Sequence, residues 1–134
     1  MCDRGFAIGL NTHLDPEMGS LVWMAEGFWE EEPTLDDVRR VSDWRWCVFF
    51  PLSVALHRAL VYPIGKIEVP AKLRPFPLMR TGSKDQGWYL VRDGKMDGFA
   101  FETTEDRSLP PRILVNLTRL REMLVTDWRP ESRW

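Results

Sequence analysis

Trp44-Arg45-Trp46-Cys47-Val48-Phe49-Phe50-Pro51 is the stretch on which the fold of this chain depends. Aromatic and β-branched residues suit a pleated surface. The run lacks the alternation of apolar and polar residues that marks a strand with one wet face. It therefore predicts a strand covered on both faces, the central strand of the sheet. Pro51 stops it, because proline has no N–H to give to a ladder.

Downstream of Pro51 the period changes. Leu52, Leu56, Ala59 and Leu60 recur at helical spacing, with Ser53 as a cap, and predict a short helix. Val61 to Val69 reads as extended up to Pro70, and Pro75 and Pro77 around Phe76 keep the next segment on an edge or across the surface. Thr81 to Gly87 is a polar loop. Trp88 to Arg92, Asp93-Gly94 and Met96 to Phe101 then form the clearest hairpin in the chain. After the polar segment Thr103 to Pro111, Ile113 to Val115 add a brief strand. Asn116 caps a helix carrying Leu117, Leu120 and Leu124, and the tail from Thr126 to Trp134 is only partly anchored.

Upstream, Thr34 and Asp37 have the spacing of a capping box, with acidic side chains at the positive end of a helix over Leu35 to Val41 whose inner face carries Leu35, Val38 and Val41. Leu21 to Trp29 reads as a strand. Phe6, Ile8 and Leu10 alternate within a first strand, Gly5 to Leu10, and Asn11 to Gly19 form the turn between the two. Short strands joined by tight turns, with helices inserted singly, indicate an α+β fold: a mainly antiparallel twisted sheet with two or three short helices, in a single domain, 1–134.

At 134 residues the chain is long enough to bury one real core. Its net charge of −2 and dispersed basic residues lack the footprint of a nucleic-acid binder. No apolar run approaches the roughly 20 residues of a membrane span, and the N-terminus lacks the order of a signal peptide. Cys2 and Cys47 do not have the spacing of a disulfide framework, so both thiols are expected to be reduced and the protein cytoplasmic. Seven tryptophans are more than so short a chain easily hides, and large aromatics left partly exposed favour a binding module.

Three groupings carry candidate chemistry. His13, Asp15 and Glu17 alternate as metal ligands on a strand face would, but Pro16 interrupts them and a polar turn explains the same residues. Cys47 and His57 have the residue types of a nucleophile and its base, yet Cys47 sits in the most apolar run available, where a thiol behaves as a small hydrophobe. The third grouping is the acidic run. Glu26, Glu30, Glu31, Glu32, Asp36 and Asp37 surround Phe28 and Trp29. Such a run is ordinarily a solvated face. Its interleaving with aromatics is how a surface for a basic partner would be composed, with charge for steering and an aromatic at the desolvated centre. The candidate partner-binding residues are therefore Phe28, Trp29, Glu30, Glu31, Glu32, Asp36 and Asp37.

A family resemblance runs through the central stretch. Phe49-Phe50-Pro51, a short helix, Ile64-Gly65, Val69-Pro70 with Leu73-Arg74, Phe76-Pro77, Arg80, and Trp88-Tyr89-Leu90-Val91 before Asp93-Gly94 resemble the bacterial Immunity protein 26 family, small proteins of polymorphic toxin systems. Phe6-Ala7-Ile8 with Leu10 is similar to that family's opening strand. The resemblance covers roughly Val48 to Gly94, and Asn11 to Glu32 departs from the tighter hairpin it leads one to expect. It implies a cytoplasmic antidote that binds and blocks a cognate toxin, with no turnover and no cofactor, and the acidic run makes the expected toxin domain a basic one. Some relatives in that family carry a phosphotriesterase label, so a small phosphotriesterase-like hydrolase is the enzyme alternative. A protein-binding domain unrelated to toxins is the other.

Overall fold

The computed structural model describes residues 5–83, 87–100 and 108–133. Strands β1 (Gly9–Asp15), β2 (Gly19–Ala25) and β3 (Trp44–Phe50) form one antiparallel sheet in that order. Strands β4 (Met79–Ser83), β5 (Gly87–Arg92) and β6 (Lys95–Ala100) form a second. Among the described residues three short α-helices accompany them: α1 (Leu35–Arg40), α2 (Leu52–His57) and α3 (Leu117–Val125). The architecture is α+β, as the strand and helix patterning predicts.

β2, and not β3 as expected, is the middle strand of its sheet, yet β3 is covered on both faces as its sequence predicts. Trp46, Val48 and Phe50 pack with Leu120, Met123 and Leu124 of α3, while Cys47 and Phe49 pack with Met79 of β4 and Val91 of β5. Alternate side chains thus enter two different cores, and every residue from Trp46 to Phe50 is buried. The backbone of β3 is equally enclosed. On the side away from β2, the Phe49 N–H donates to the Ile113 carbonyl at 3.0 Å and the Val115 N–H donates to the Phe49 carbonyl at 2.9 Å. The same passing segment serves β4: the Arg80 N–H donates to the Pro110 carbonyl at 3.1 Å and the Arg112 N–H to the Arg80 carbonyl at 2.8 Å. The strand expected at Ile113 to Val115 is therefore a parallel stitch that joins the two sheets. Arg80 itself is fully buried, its guanidinium donating to the carbonyls of Leu109 and Pro130 and lying 4.1 Å from the Trp88 ring centroid.

The first hairpin differs from its sequence-based boundaries. β1 starts at Gly9, runs through the polar residues Asn11, Thr12 and His13 to Asp15, and leaves a turn of only Pro16 to Met18. The Asp15 carboxylate makes this short turn possible by accepting the N–H groups of Glu17 and Met18 at 2.8 and 2.9 Å, and Gly19 follows at φ +88°. Polar residues are tolerated in β1 because it is the sheet's edge. Of the expected strand Gly5 to Leu10, Gly9 and Leu10 open β1 and Phe6 forms an isolated bridge to Trp29, and β2 ends at Ala25, four residues before Trp29.

α1 carries the predicted capping box: the Thr34 N–H donates to Asp37 Oδ2 at 2.8 Å, and the Asp37 N–H donates to Thr34 Oγ1 at 3.3 Å. Pro51 occupies the N-cap position of α2 with no side-chain capping bond, and Ser53 lies inside the helix instead of capping it. Asn116 caps α3 by accepting the Arg119 N–H. Asp93 and Gly94, at φ +50° and +79°, form the two-residue turn of β5–β6. Thr81 to Ser83 belong to β4, leaving 84–86 of the expected loop, Cys2, and residues 101–107 outside the described residues. The tail is better anchored than its sequence suggests. Trp128 is buried against Trp46 with ring centroids 5.3 Å apart, Asp127 pairs with Arg45 at 2.6 Å, and Arg129 pairs with Glu26 at 3.0 Å. No helix among the described residues is long and apolar enough to cross a membrane.

Candidate functional site

The acidic run emerges where the chain leaves β2 and enters α1. Trp29 exchanges backbone hydrogen bonds with Phe6 at 2.8 and 2.9 Å, and its half-buried ring packs on the small cluster of Ile8, Ala25 and Val38. Phe28 is also half-buried, packing on the core beneath α3 with the Arg45 guanidinium 6.0 Å from its ring centroid. Glu30, Glu31 and Glu32 follow as three exposed residues, none in an ion pair among the described residues. Asp36 is exposed and pairs with Arg39 at 3.1 Å. Asp37 closes the capping box, and the backbone N–H of Thr34 is the chief reason its carboxyl is held below the usual range. The run therefore divides in two. Glu30 to Glu32 are free to face a partner, while Asp36 and Asp37 also work within their own helix.

Beside this run lies a cleft of about 630 Å³. Its floor is Val22, Met24 and Phe50, the sheet face turned toward α3. Leu117, Leu120 and Leu124 of α3 form one wall, and Leu35 and Val38 of α1 border another part. Residues 60–67 line it as well, without joining a helix or a sheet. Along this segment and the preceding helix, Leu56, Leu60, Tyr62 and Ile64 remain 40, 43, 67 and 42 % exposed. The charged lining residues are Glu32, Lys66 and Arg121. Glu32 and Pro33 make the cleft continuous with the acidic run. Its lining comes from residues 6–11, 22–24, 32–38, 50–67 and 117–124, so local periodicity carries no signal for it. The available hint is an apolar excess at 60, 62 and 64, more than an exposed segment needs.

The other candidate groupings take up different roles. His13 Nε2 lies 2.7 Å from the Arg74 carbonyl oxygen, which can only accept, so Nε2 carries the proton. Nδ1 lies within hydrogen-bond distance of the Thr12 hydroxyl, at 2.8 Å. Asp15 holds its turn, and Glu17 pairs with Arg112 at 3.2 Å. Among the described residues no group of three or more His, Cys, Asp or Glu side chains is arranged to hold a metal ion. Cys47 is enclosed by the Leu21, Phe49, Met79 and Val91 cluster, and burial pushes its thiol far up from the ordinary range. His57 is exposed at the end of α2. Of the tryptophans, Trp46, Trp88 and Trp128 are buried and Trp23, Trp29 and Trp44 half-buried. A scan against protein-family models, a search of curated proteins and a search of solved structures each found nothing that matches this chain.

Proposed function

We propose that this protein is an immunity-type binding protein, which neutralises a cognate bacterial toxin by direct contact with a basic toxin domain and without turnover. The observation that carries the reading is the exposed, unpaired row Glu30, Glu31 and Glu32 beside the half-buried ring of Trp29. Three adjacent carboxylates with no partner among the described residues concentrate negative potential at one place. Such a field accelerates encounter with a basic surface and disfavours acidic ones. The exposed part of Trp29 supplies the apolar contact that slows dissociation. The resemblance of Val48 to Gly94 to the Immunity protein 26 family supports the choice of a toxin as the partner.

The test is binding kinetics, at two ionic strengths, against the basic C-terminal domain of a toxin encoded beside this protein's gene. Reversing Glu30, Glu31 and Glu32 to Lys lowers the association rate and weakens its salt dependence, while Trp29→Phe mainly hastens dissociation. Melting temperature is the control, since exposed acids contribute little to stability. Wild-type binding and wild-type protection of cells by the triple charge reversal would remove this surface from the function.

A further inference from the structure

We propose that the cleft between α3, the sheet and residues 60–67 is a binding site for a single-chain amphiphile bearing one carboxylate, with its tail on Val22, Met24 and Phe50 and its headgroup held by Lys66 and Arg121. The cleft is a mainly apolar concavity of about 630 Å³ beside the main core, open to solvent on one side. Its size lies within the roughly 300–1,000 Å³ of ligand pockets, and its mainly aliphatic lining with a few polar groups is also theirs. The apolar rim is formed by Leu56, Leu60, Tyr62 and Ile64.

Charge specifies the headgroup. Arg45, Arg74, Arg112, Arg119 and Arg129 each pair with a carboxylate of this chain. Lys66 and Arg121, both exposed, line the cleft and pair with none among the described residues. Against these two cations the lining sets one carboxylate, Glu32, so a net single positive charge remains for one anionic group. A hydrocarbon tail suits this lining better than a peptide, whose backbone N–H and C=O groups would lose water to aliphatic walls that offer few partners.

Titration calorimetry with octanoate, decanoate and dodecanoate, each below its micelle concentration, tests the site, with decyl alcohol and decyltrimethylammonium as neutral and cationic probes. Affinity should rise by up to about fifteenfold per two-carbon step, because each buried methylene contributes about 0.8 kcal/mol. Decanoate should bind more tightly than either ten-carbon probe. Lys66→Glu with Arg121→Glu should lower decanoate affinity roughly tenfold or more and leave decyl alcohol unchanged. Leu60→Gln with Ile64→Gln should weaken both. All four positions are exposed, and melting temperature verifies folding. Affinity independent of chain length, equal or tighter binding of decyltrimethylammonium, or binding only to anionic phospholipid vesicles would each overturn the proposal. Glu30→Lys with Glu31→Lys should not weaken decanoate binding, so this site and the toxin-facing surface stand or fall separately.

Discussion

Truncating Phe49 and Phe50 separately to alanine tests the two-core organisation around β3. The residues are adjacent but enter opposite layers: Phe49, 0 % exposed, joins Leu21, Cys47, Met79 and Val91, whereas Phe50, 2 % exposed, joins Val48, Leu120 and Met123. Phe49 also has Phe76 nearby, with ring centroids 6.4 Å apart. Deleting a buried phenyl ring costs about 3–5 kcal/mol through lost transfer energy and the cavity left behind. Phe50 lines the cleft, so its ring has fewer packed atoms to lose on that side and its cost falls at the low end. Phe49→Ala falls at the high end. Against a total stability of about 5–15 kcal/mol, either loss is large. With a urea slope near 2 kcal/mol per molar, it lowers the midpoint by roughly 2 M. Urea denaturation followed by tryptophan fluorescence and by far-UV circular dichroism gives both numbers. Losses below about 1 kcal/mol for both variants, or a markedly larger loss for Phe50 than for Phe49, would refute a β3 buried between two cores.

Three further outcomes are expected. In a Cys2→Ser background, Cys47 should resist a thiol reagent at pH 8 in the folded protein and react once denaturant is added, because burial disfavours its thiolate; rapid labelling of the native state would contradict the burial. The hydrogen bond from Arg129 is the main reason the Glu26 carboxyl is held below its ordinary 4.5. The contribution of that pair is present above this pH and is lost as pH falls through the lower folded value, so Glu26→Gln should flatten the acid limb of a melting-temperature profile, and parallel curves would count against it. Thr34→Ala should cost about 0.5–2 kcal/mol by removing the side-chain half of the α1 capping box, and an unchanged urea midpoint would show that the box is energetically idle.

Features that depend on near neighbours were legible in the residues themselves. The α1 box needs only Thr34 and Asp37, the β5–β6 turn only Asp93-Gly94, and the α3 start only Asn116, because each is a hydrogen bond or a positive φ within a few residues. The covered nature of β3 was equally plain, since a run whose one charged residue is Arg45, near its start, has no wet face to offer. The acidic run was visible for the same local reason. Tertiary structure decided what lies on each side of these elements. With Asp15 folding back on Glu17 and Met18, the first strand starts four residues later than expected, at Gly9, and the turn shrinks to three residues, an outcome periodicity cannot foresee when polar residues are allowed on an edge strand. Trp128 anchored the tail only because Trp46, distant in sequence, meets it in a nearly perpendicular ring contact. The stitch at 110–115 and the cleft likewise exist only once remote segments meet: their hydrogen bonds and walls are pairings across the chain, and pairing partners are set by packing and not by local spacing.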